Sequence, residues 1–299
     1  MARPLRIEYP GAVYHVTARG DRQEPIFASD ADRRLLLAIV DHAMARLDAD
    51  ALAFCLMGNH YHFVVRTRQP NLSRLMRHIN GEYTRAFNRR HGISGHLFQG
   101  RFHAILVDRD AYLVEVCRYV ELNPVRAGLV DAAGDWAWSS YRAHIGMQAP
   151  PVWLATEELH GHLLGRDVAS EADRRQAMLE YAEIVADGRA VDLWSKRLRG
   201  EIFLGEEAFV SKVQAMAMQR RMRDVEIARV QRTDLRSLTE WMAAHRSRQE
   251  SFRLAYSIGG LTMSEIARQA GLSTSSVSRM IAEAERLQDS RPDTAKFKT

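Results

Sequence analysis

Apolar residues in the first half of the chain follow two different spacings, which predict strands and helices in alternation. Val13–Thr17 is rich in β-branched and aromatic residues and predicts a strand. From Asp30 to Leu47, apolar side chains recur every three or four residues, which predicts a helix. The segment Leu72–Arg90 keeps the same period and carries its arginines on the opposite face, so it predicts a second amphipathic helix.

Between these helices, two short β-rich runs lie on either side of a turn sequence. The runs are Ala51–Met57 and His60–Arg66, and Gly58-Asn59 separates them. Two β-rich runs joined by a Gly-Asn pair are typical of a β-hairpin. Ile105–Val107 predicts one further strand after the second helix.

A third helix completes the pattern of the first half. Asp108 or Asp110 can cap its N-terminus, and it is expected to run to about Asn123 and end at Pro124. The resulting order, βαββαβα, predicts an α+β fold in which helices pack on an antiparallel sheet. We place this domain at residues 1–146.

The pattern changes after residue 146, and we predict three further segments. Residues 147–245 are mostly helical and polar, without a motif that dictates chemistry, and are predicted to connect two domains. Residues 246–287 predict an all-α helix-turn-helix domain. Residues 288–299 are polar, contain a proline and predict a flexible tail.

Composition argues against a secreted or membrane protein. The N-terminus lacks the apolar stretch of a signal peptide, and no apolar run is long enough to span a membrane. The only two cysteines, Cys55 and Cys117, lie in apolar segments, which is not the pattern of a disulfide framework. We therefore expect a cytoplasmic protein without a membrane partner.

Positive charge is concentrated in one part of the chain. The net charge is only +5, but between Arg66 and His103 there are eight arginines and a single acid, Glu82. Such a cluster suits a nucleic-acid phosphate backbone. An arginine-rich genome is the alternative explanation, since the whole chain has only four lysines. The predicted DNA contacts in this region are Arg66, Arg74, Arg77, Arg85, Arg89, Arg90 and Arg101.

A His-x-His sequence opens the second strand of the predicted hairpin. Successive side chains on a strand point to opposite faces, so His60 and His62 share one face while Tyr61 and Phe63 face a core. Two imidazoles whose Cβ atoms lie about 7 Å apart can hold one metal ion together with a third ligand. By itself such a pair more often indicates two half-exposed histidines on a solvated strand face.

The third helix places a tyrosine and an asparagine together beside its apolar stripe. Tyr119 and Asn123 are one turn apart and therefore neighbours. The alternative is that Tyr119 lies at the edge of the core with its hydroxyl bound to water, and that Asn123 only ends the helix. Tyr112 lies on the same face of the helix and is a weaker candidate for a functional tyrosine. The apolar stripe consists of Leu113, Val116, Cys117 and Val120.

Taken together, the two stretches resemble the motifs of the single-tyrosine HUH transposases, and most closely the REP-associated tyrosine transposases. Met57–Val65 resembles the His-hydrophobe-His motif, and Arg118–Val130 resembles the pattern Tyr-x-x-x-Asn-Pro-Val-[Arg/Lys]-x-Gly. The resemblance covers about residues 1–146. It implies an HUH, ferredoxin-like catalytic domain.

The resemblance also implies an activity. Tyr119 would be the nucleophile, and His60, His62 and Asn123 would bind a divalent metal, Mg²⁺ or Mn²⁺. Such an enzyme cleaves and rejoins single-stranded DNA at hairpin, REP-like sequences through a 5′-phosphotyrosine intermediate. A monomer and a homodimer, in which Tyr119 serves the partner's histidines, both remain open. So do a non-catalytic DNA-binding regulator derived from a transposase and, less favoured, an RNA-binding protein.

Residues 261–281 predict two short helices joined by a tight turn. Thr262 or Ser264 can cap the first helix, Gly271 supplies the turn, and Ser273 or Thr274 can cap the second. The pattern resembles the helix-turn-helix of sigma factors and replication initiators, which bind duplex DNA. An ordinary helical hairpin is the alternative. The residues predicted to face the DNA groove are Ser275, Ser276, Ser278 and Arg279.

Overall fold

A computed structural model describes most of the chain as two compact units. The described residues are 7–188, 193, 198–199, 202–218, 237–245, 247–257, 261 and 263–289. The units are Met1–Ala217 and Met218–Thr299, and each is considered by itself. Thr262 and residues 290–299 of the predicted tail lie outside the described residues.

The first unit is built on a six-stranded sheet with the order β2-β3-β1-β4-β6-β5. Neighbouring strands are antiparallel except for the parallel pair β4 and β6. The predicted α+β fold and the β2–β3 hairpin are confirmed, whereas β5 and β6 were not predicted. The strands are β1 Ala12–Arg19, β2 Ala49–Leu56, β3 His60–Thr67, β4 His103–Val107, β5 Leu198–Arg199 and β6 Phe203–Leu204.

Helices cover both faces of this sheet. One apolar core lies between the sheet and the pair α1 and α2, and the other lies between the sheet and α3, with residues of α6 and α7. The helices are α1 Asp30–Leu47, α2 Leu72–His91, α3 Arg109–Glu121, α4 Asn123–Arg126, α5 Tyr141–His144, α6 Thr156–Leu164, α7 Glu171–Asp187 and α8, described over residues 207–218.

Alternation along the central strands decides which side chains meet α3. On β3, Tyr61 and Phe63 enter the core beneath α1 and α2, whereas Val64 enters the core beneath α3. His60 and His62 have the same parity as Val64 and therefore face α3. The face that carries the histidine pair is thus covered by the helix that carries Tyr119, and is not a fully solvated surface.

The end of the third helix differs in one respect from the prediction. α3 ends at Glu121, close to the expected position, but Pro124 does not lead into a coil. It stands in the first turn of the short helix α4. Proline is favoured there because the first turn of a helix leaves its backbone N–H groups without intrahelical acceptors. The chain therefore leaves α3 at Leu122 and continues directly as the short helix α4 to Arg126.

The second unit is helical over its described residues. Four helices among these described residues, α9 Leu238–Ala244, α10 Arg248–Ser257, α11 Met263–Ala270 and α12 Thr274–Asp289, enclose a small core that includes Trp241, Phe252, Ile266, Val277 and Ile281. Gly271, between α11 and α12, has a φ of +67°. This left-handed conformation is the one expected of a turn glycine. No helix among the described residues of either unit is long and apolar enough to cross a membrane.

Candidate active site

Three histidines form a compact cluster on the α3 side of the sheet. His62 is buried on β3, and its Nδ1 lies 3.0 Å from Nε2 of His15 on the adjacent strand β1. The two rings are nearly parallel, with centroids 5.2 Å apart. His60 is half-buried, its ring centroid is 5.0 Å from that of His62, and its Nδ1 lies 2.7 Å from Oδ1 of Asn59.

Tyr119 of α3 lies against this cluster. Its ring centroid is 6.4 Å from that of His62 and 6.0 Å from that of His15, and both contacts are edge-to-face. On another side of the ring, the guanidinium carbon of Arg126 lies 4.5 Å from the ring centroid. The structure therefore brings together the tyrosine and the histidine pair, which are far apart in the sequence.

Asn123 lies one helical turn beyond Tyr119. Its side-chain Nδ2 donates to the carbonyl oxygens of Tyr119, at 3.0 Å, and of Val120, at 3.1 Å. These bonds tie the side chain to the end of α3, where carbonyl groups lack intrahelical donors. They involve only the amide nitrogen, so they do not use the amide oxygen, which is the atom that can bind a metal.

Burial keeps the histidine cluster uncharged near neutral pH. Desolvation, and secondarily the positive charge of His103, lowers the pKa of His15 to about 3. Desolvation and then Arg19 lower the pKa of His60 to about 4. The pKa of His62 is lowered well below its usual value, first by burial and then by the neighbouring histidines and Arg19. Neutral imidazoles have the lone pair that metal binding requires.

His62 meets the chemical requirements of a metal ligand. Its Nε2 is buried and has no hydrogen-bond partner among the described residues. A buried polar atom without a partner costs about 1–3 kcal/mol, and a bound cation would remove that cost. For Nε2 to present its lone pair, Nδ1 must carry the hydrogen and donate it to Nε2 of His15. His15 would then fix the tautomer and the orientation of His62.

The remaining ligands are not a cluster of acids. The described residues contain no group of three or more His, Cys, Asp or Glu side chains that could hold a metal ion. A metal ion held by His60 and His62 would therefore need its further ligands from an amide oxygen, water or substrate phosphate. Nitrogen and oxygen ligands of this kind are compatible with Mn²⁺ and Mg²⁺.

The predicted DNA-contact residues of the first unit fall into two groups. Arg66 is half-buried and paired with Asp50, at 2.6 Å, and with Glu158, so its charge is already neutralised. These ion pairs compete with the predicted contact of Arg66 with DNA. The others are exposed, although Arg85 pairs with Glu82 and Arg90 lies 3.3 Å from Asp32. These exposed arginines are Arg74, Arg77, Arg85, Arg89, Arg90 and Arg101.

Part of this exposed positive charge lies along the wall of a cavity. It has a volume of about 530 Å³ and lies between α2 and residues 95–102. Arg77, Arg85 and Arg101 line it. The prediction of a basic surface on α2 thus corresponds to a concave region with three guanidinium groups.

In the second unit, the four residues predicted to face a DNA groove also differ in their exposure. Ser275, Ser278 and Arg279 are exposed on α12. Ser276 is half-buried, its N–H donates to Oγ of Ser273 at 3.2 Å, and its hydroxyl lies 2.9 Å from the same atom. Ser273 is therefore the cap of α12, and Ser276 takes part in that cap.

Sequence reasoning missed three residues in or beside the histidine cluster. His15 and Arg19 lie on β1, and Arg126 lies on α4. The β1 sequence indicated a strand, but only the pairing of β1 with β3 places His15 beside His62 and Arg19 opposite His60. Arg126 belongs to the Asn-Pro-Val-Arg motif, and the expected end of the helix at Pro124 gave no reason to place it beside Tyr119.

The segment that carries this cluster matches a known protein family. Residues 9–123 match the family described as "Transposase IS200 like". The match includes the histidine pair, Tyr119 and Asn123, and it confirms the predicted resemblance over these residues. It covers less than half of the 299 residues, so it assigns nothing to the helices that follow.

Solved structures give a more distant likeness. One of them is a REP-associated tyrosine transposase bound to a REP hairpin. It shares 18% sequence identity with this chain, and the superposition covers 52% of this chain and 92% of that one with a TM-score of 0.43. No protein with a curated description matches the sequence.

Proposed function

We propose that the first unit is a metal-dependent transposase that cleaves and rejoins single-stranded DNA at hairpin sequences. The observation that carries this proposal is the contact of Tyr119 with His15 and His62, at ring distances of 6.0 and 6.4 Å. The cluster lies within the segment that matches a transposase family. A tyrosine beside neutral histidines is suited to phosphoryl transfer.

The proposed reaction is an exchange of phosphate esters. The hydroxyl oxygen of Tyr119 attacks the phosphorus of a DNA phosphodiester and loses its proton to solvent. The bond from phosphorus to the 3′-oxygen breaks, that oxygen gains a proton, and a 5′-phosphotyrosine and a free 3′-hydroxyl result. Attack by a 3′-hydroxyl reverses the exchange, so rejoining requires no ATP.

His60, His62 and Asn123 would hold the divalent cation, Mg²⁺ or Mn²⁺. When bound, such a cation neutralises negative charge on the phosphate in the transition state. The protein's own contribution is to present two neutral imidazoles from one strand face and to keep the tyrosine ring against them.

His15 provides a test of the proposed metal site that does not depend on DNA. His15→Phe keeps a buried ring of similar size but removes the Nε2 atom that meets His62. We expect Mn²⁺ affinity to fall about 10- to 100-fold, as is usual when the hydrogen-bond partner of a ligating histidine is lost. Mn²⁺ titration followed by electron paramagnetic resonance measures this. Unchanged affinity in a folded variant would show that His15 does not orient a ligand.

The activity itself is tested with labelled oligonucleotides. The full chain is mixed with single-stranded hairpins of varied sequence in the presence of Mn²⁺, and the products are separated on a denaturing gel. The proposal predicts a labelled band that migrates with the protein and disappears after protease treatment. Binding of hairpins without any such band, across the whole set and with both metals, would leave only a DNA-binding protein.

A non-catalytic DNA-binding regulator is the second candidate function. It is favoured by the second unit, in which α12 presents Ser275, Ser278 and Arg279 to solvent beside the turn at Gly271. Helices of this arrangement bind the major groove of duplex DNA through their exposed N-terminal residues. The two candidates differ in the need for Tyr119, because a regulator would bind its sites without it.

Arg279 tests the proposed duplex-binding role of the second unit. We expect the full chain to enrich a preferred sequence from random duplexes, and Arg279→Ala to weaken binding to that sequence by about 1–3 kcal/mol. Arg253→Ala is the matched control, because Arg253 is half-buried and paired with Glu250 on α10. Equal effects of both substitutions, or no enrichment by the full chain, would refute this role.

A further inference from the structure

Two arginines from the tyrosine region reach the C-terminal end of α7. Nη1 of Arg118 donates to the carbonyl oxygen of Ile184 at 3.5 Å, and Nη2 of Arg126 donates to that of Gly188 at 3.4 Å. Carbonyl groups at the end of a helix lack intrahelical donors and carry the negative end of the helix dipole. The end of α7 is therefore a natural acceptor for both guanidinium groups.

Arg126 connects this helix end to Tyr119. Its guanidinium carbon lies 4.5 Å from the centroid of the Tyr119 ring, and its Nη1 donates to the Tyr119 carbonyl oxygen at 3.3 Å. A cation over the face of an aromatic ring is attracted by the ring's quadrupole. One guanidinium group thus holds the ring and the backbone of Tyr119 and also the last carbonyl of α7.

Buried hydrogen bonds fix α7 against α3. The hydroxyl of Tyr181 on α7 donates to Oε2 of Glu121 at 2.7 Å, and both side chains are completely buried. Glu121 also accepts a hydrogen bond from Ser140, and its Oε1 lies 2.8 Å from Nδ1 of His144. Ser140, His144 and Tyr181 all follow the segment that matches the transposase family. Tyr181, a residue outside that match, therefore ties α7 to Glu121, a residue within it.

Gly188 allows the close approach at the end of α7. A Cβ atom added there would lie 2.4 Å from Cδ and 2.7 Å from Nε of Arg118. Its φ of −85° is accessible to any residue, so glycine is not required by the backbone conformation. A side chain at position 188 would instead require the Arg118 side chain to move.

We infer that the C-terminal end of α7 positions the nucleophile, with Arg126 as the positioning residue that joins Gly188 to Tyr119. Residues 140–188 then belong to the catalytic unit, and are not a spacer between two domains. The inference rests on the proposed function, in which Tyr119 attacks DNA. Its structural part, that the end of α7 controls the surroundings of Tyr119, can be tested without any reaction.

The structural part is tested by fluorine NMR of the protein labelled with 3-fluorotyrosine, with the Tyr119→Phe spectrum used to assign the resonance. We expect Gly188→Ala to shift or broaden the Tyr119 resonance, because the added methyl group and the Arg118 side chain cannot both keep their positions and a contact at the end of α7 must change. Gly134→Ala is the control, since its Cβ would meet its nearest neighbour, on Tyr141, at an ordinary 3.7 Å. An unchanged Tyr119 resonance in Gly188→Ala would overturn the inference.

The catalytic part is tested by the rate of adduct formation at saturating hairpin DNA and Mn²⁺. Arg126→Met is expected to slow this rate about 10- to 100-fold, as misplacement of a reacting group does, while DNA affinity in the Tyr119→Phe background stays unchanged. Arg126→Lys should recover part of the rate, because it keeps a cation but lacks the planar fork that spans two carbonyls.

The outcomes separate this inference from the proposed function. An Arg126→Met rate equal to that of the unmodified chain would refute the positioning role while the proposed function stands. Loss of DNA affinity that accounts for the whole effect would make Arg126 a phosphate ligand, and would also refute positioning. If the unmodified chain forms no adduct, the proposed function fails, and the fluorine spectrum still decides whether α7 controls Tyr119.

Discussion

Tyr119→Phe should abolish the covalent protein–DNA adduct, with a fall in the rate of at least about 10³-fold. The substitution removes one oxygen atom and leaves the ring, so the contacts with His15, His62 and Arg126 are retained. Because the lost atom is the proposed nucleophile, hairpin binding and Mn²⁺ binding should be unaffected. Gel analysis of labelled hairpins, with parallel affinity measurements, checks both expectations.

Tyr112→Phe is the matched control for this experiment. Tyr112 lies on the same helix, is half-buried, and packs against the same apolar core. The account predicts that this variant forms the adduct at the rate of the unmodified chain. An adduct that survives Tyr119→Phe but is lost in Tyr112→Phe would reassign the nucleophile to the earlier tyrosine.

His62→Leu should remove measurable divalent-metal binding and, with it, adduct formation. Leucine fills a buried site of similar size but has no nitrogen, so the one histidine that remains on β3, His60, would have to bind the ion without its neighbour. Loss of a metal ligand costs more than loss of its hydrogen-bond partner, so the decrease in affinity should exceed the roughly 10- to 100-fold expected for His15→Phe. Mn²⁺ titration gives the affinity, and thermal unfolding shows whether the variant is folded.

His42→Ala is the control for metal binding. His42 is exposed on α1, which packs on the opposite face of the sheet from the histidine cluster. Its removal should change neither Mn²⁺ affinity nor the adduct. If His62→Leu stays folded and binds Mn²⁺ like the unmodified chain, then β3 does not carry the metal site.

The sequence predicted the elements that carry the site, since each is determined by local patterns. Alternation placed His60 and His62 on one strand face, and helical periodicity placed Tyr119 beside the apolar stripe of α3. These properties depend on residues close together in the chain. The two motifs could be related to each other only through the family resemblance, because nothing local specifies that α3 covers the histidine face of β3.

The residues that escaped prediction depend on contacts between distant segments. His15 joins the cluster because β1 pairs with β3, and strand pairing is not written into either strand alone. Arg66 counted as a free cation in the sequence, yet Asp50 and Glu158, which neutralise it, come from β2 and α6. Arg126 contacts Tyr119 because the chain continues as α4 after Leu122 and does not end its helical path at Pro124.

The two short strands and the role of α7 also escaped prediction because they depend on contacts between distant segments. β5 and β6 have two residues each, too few to show a period, and β6 forms by parallel pairing with β4. The polar pattern of α7 suggested a connecting helix. Its buried contacts, however, are made by Tyr181 and Val185, which lie one turn apart and enter the core beneath α3.

The central claim is that Tyr119, held beside the histidine pair, becomes covalently joined to the 5′ end of cleaved DNA. Mass spectrometry of protease-digested adduct, prepared with a hairpin oligonucleotide and Mn²⁺, tests it most directly. The account predicts that the peptide containing Tyr119 carries the nucleotide through a phosphate ester at this residue. Attachment to any other residue, or intact oligonucleotide recovered from a complex that binds both DNA and Mn²⁺, would contradict it.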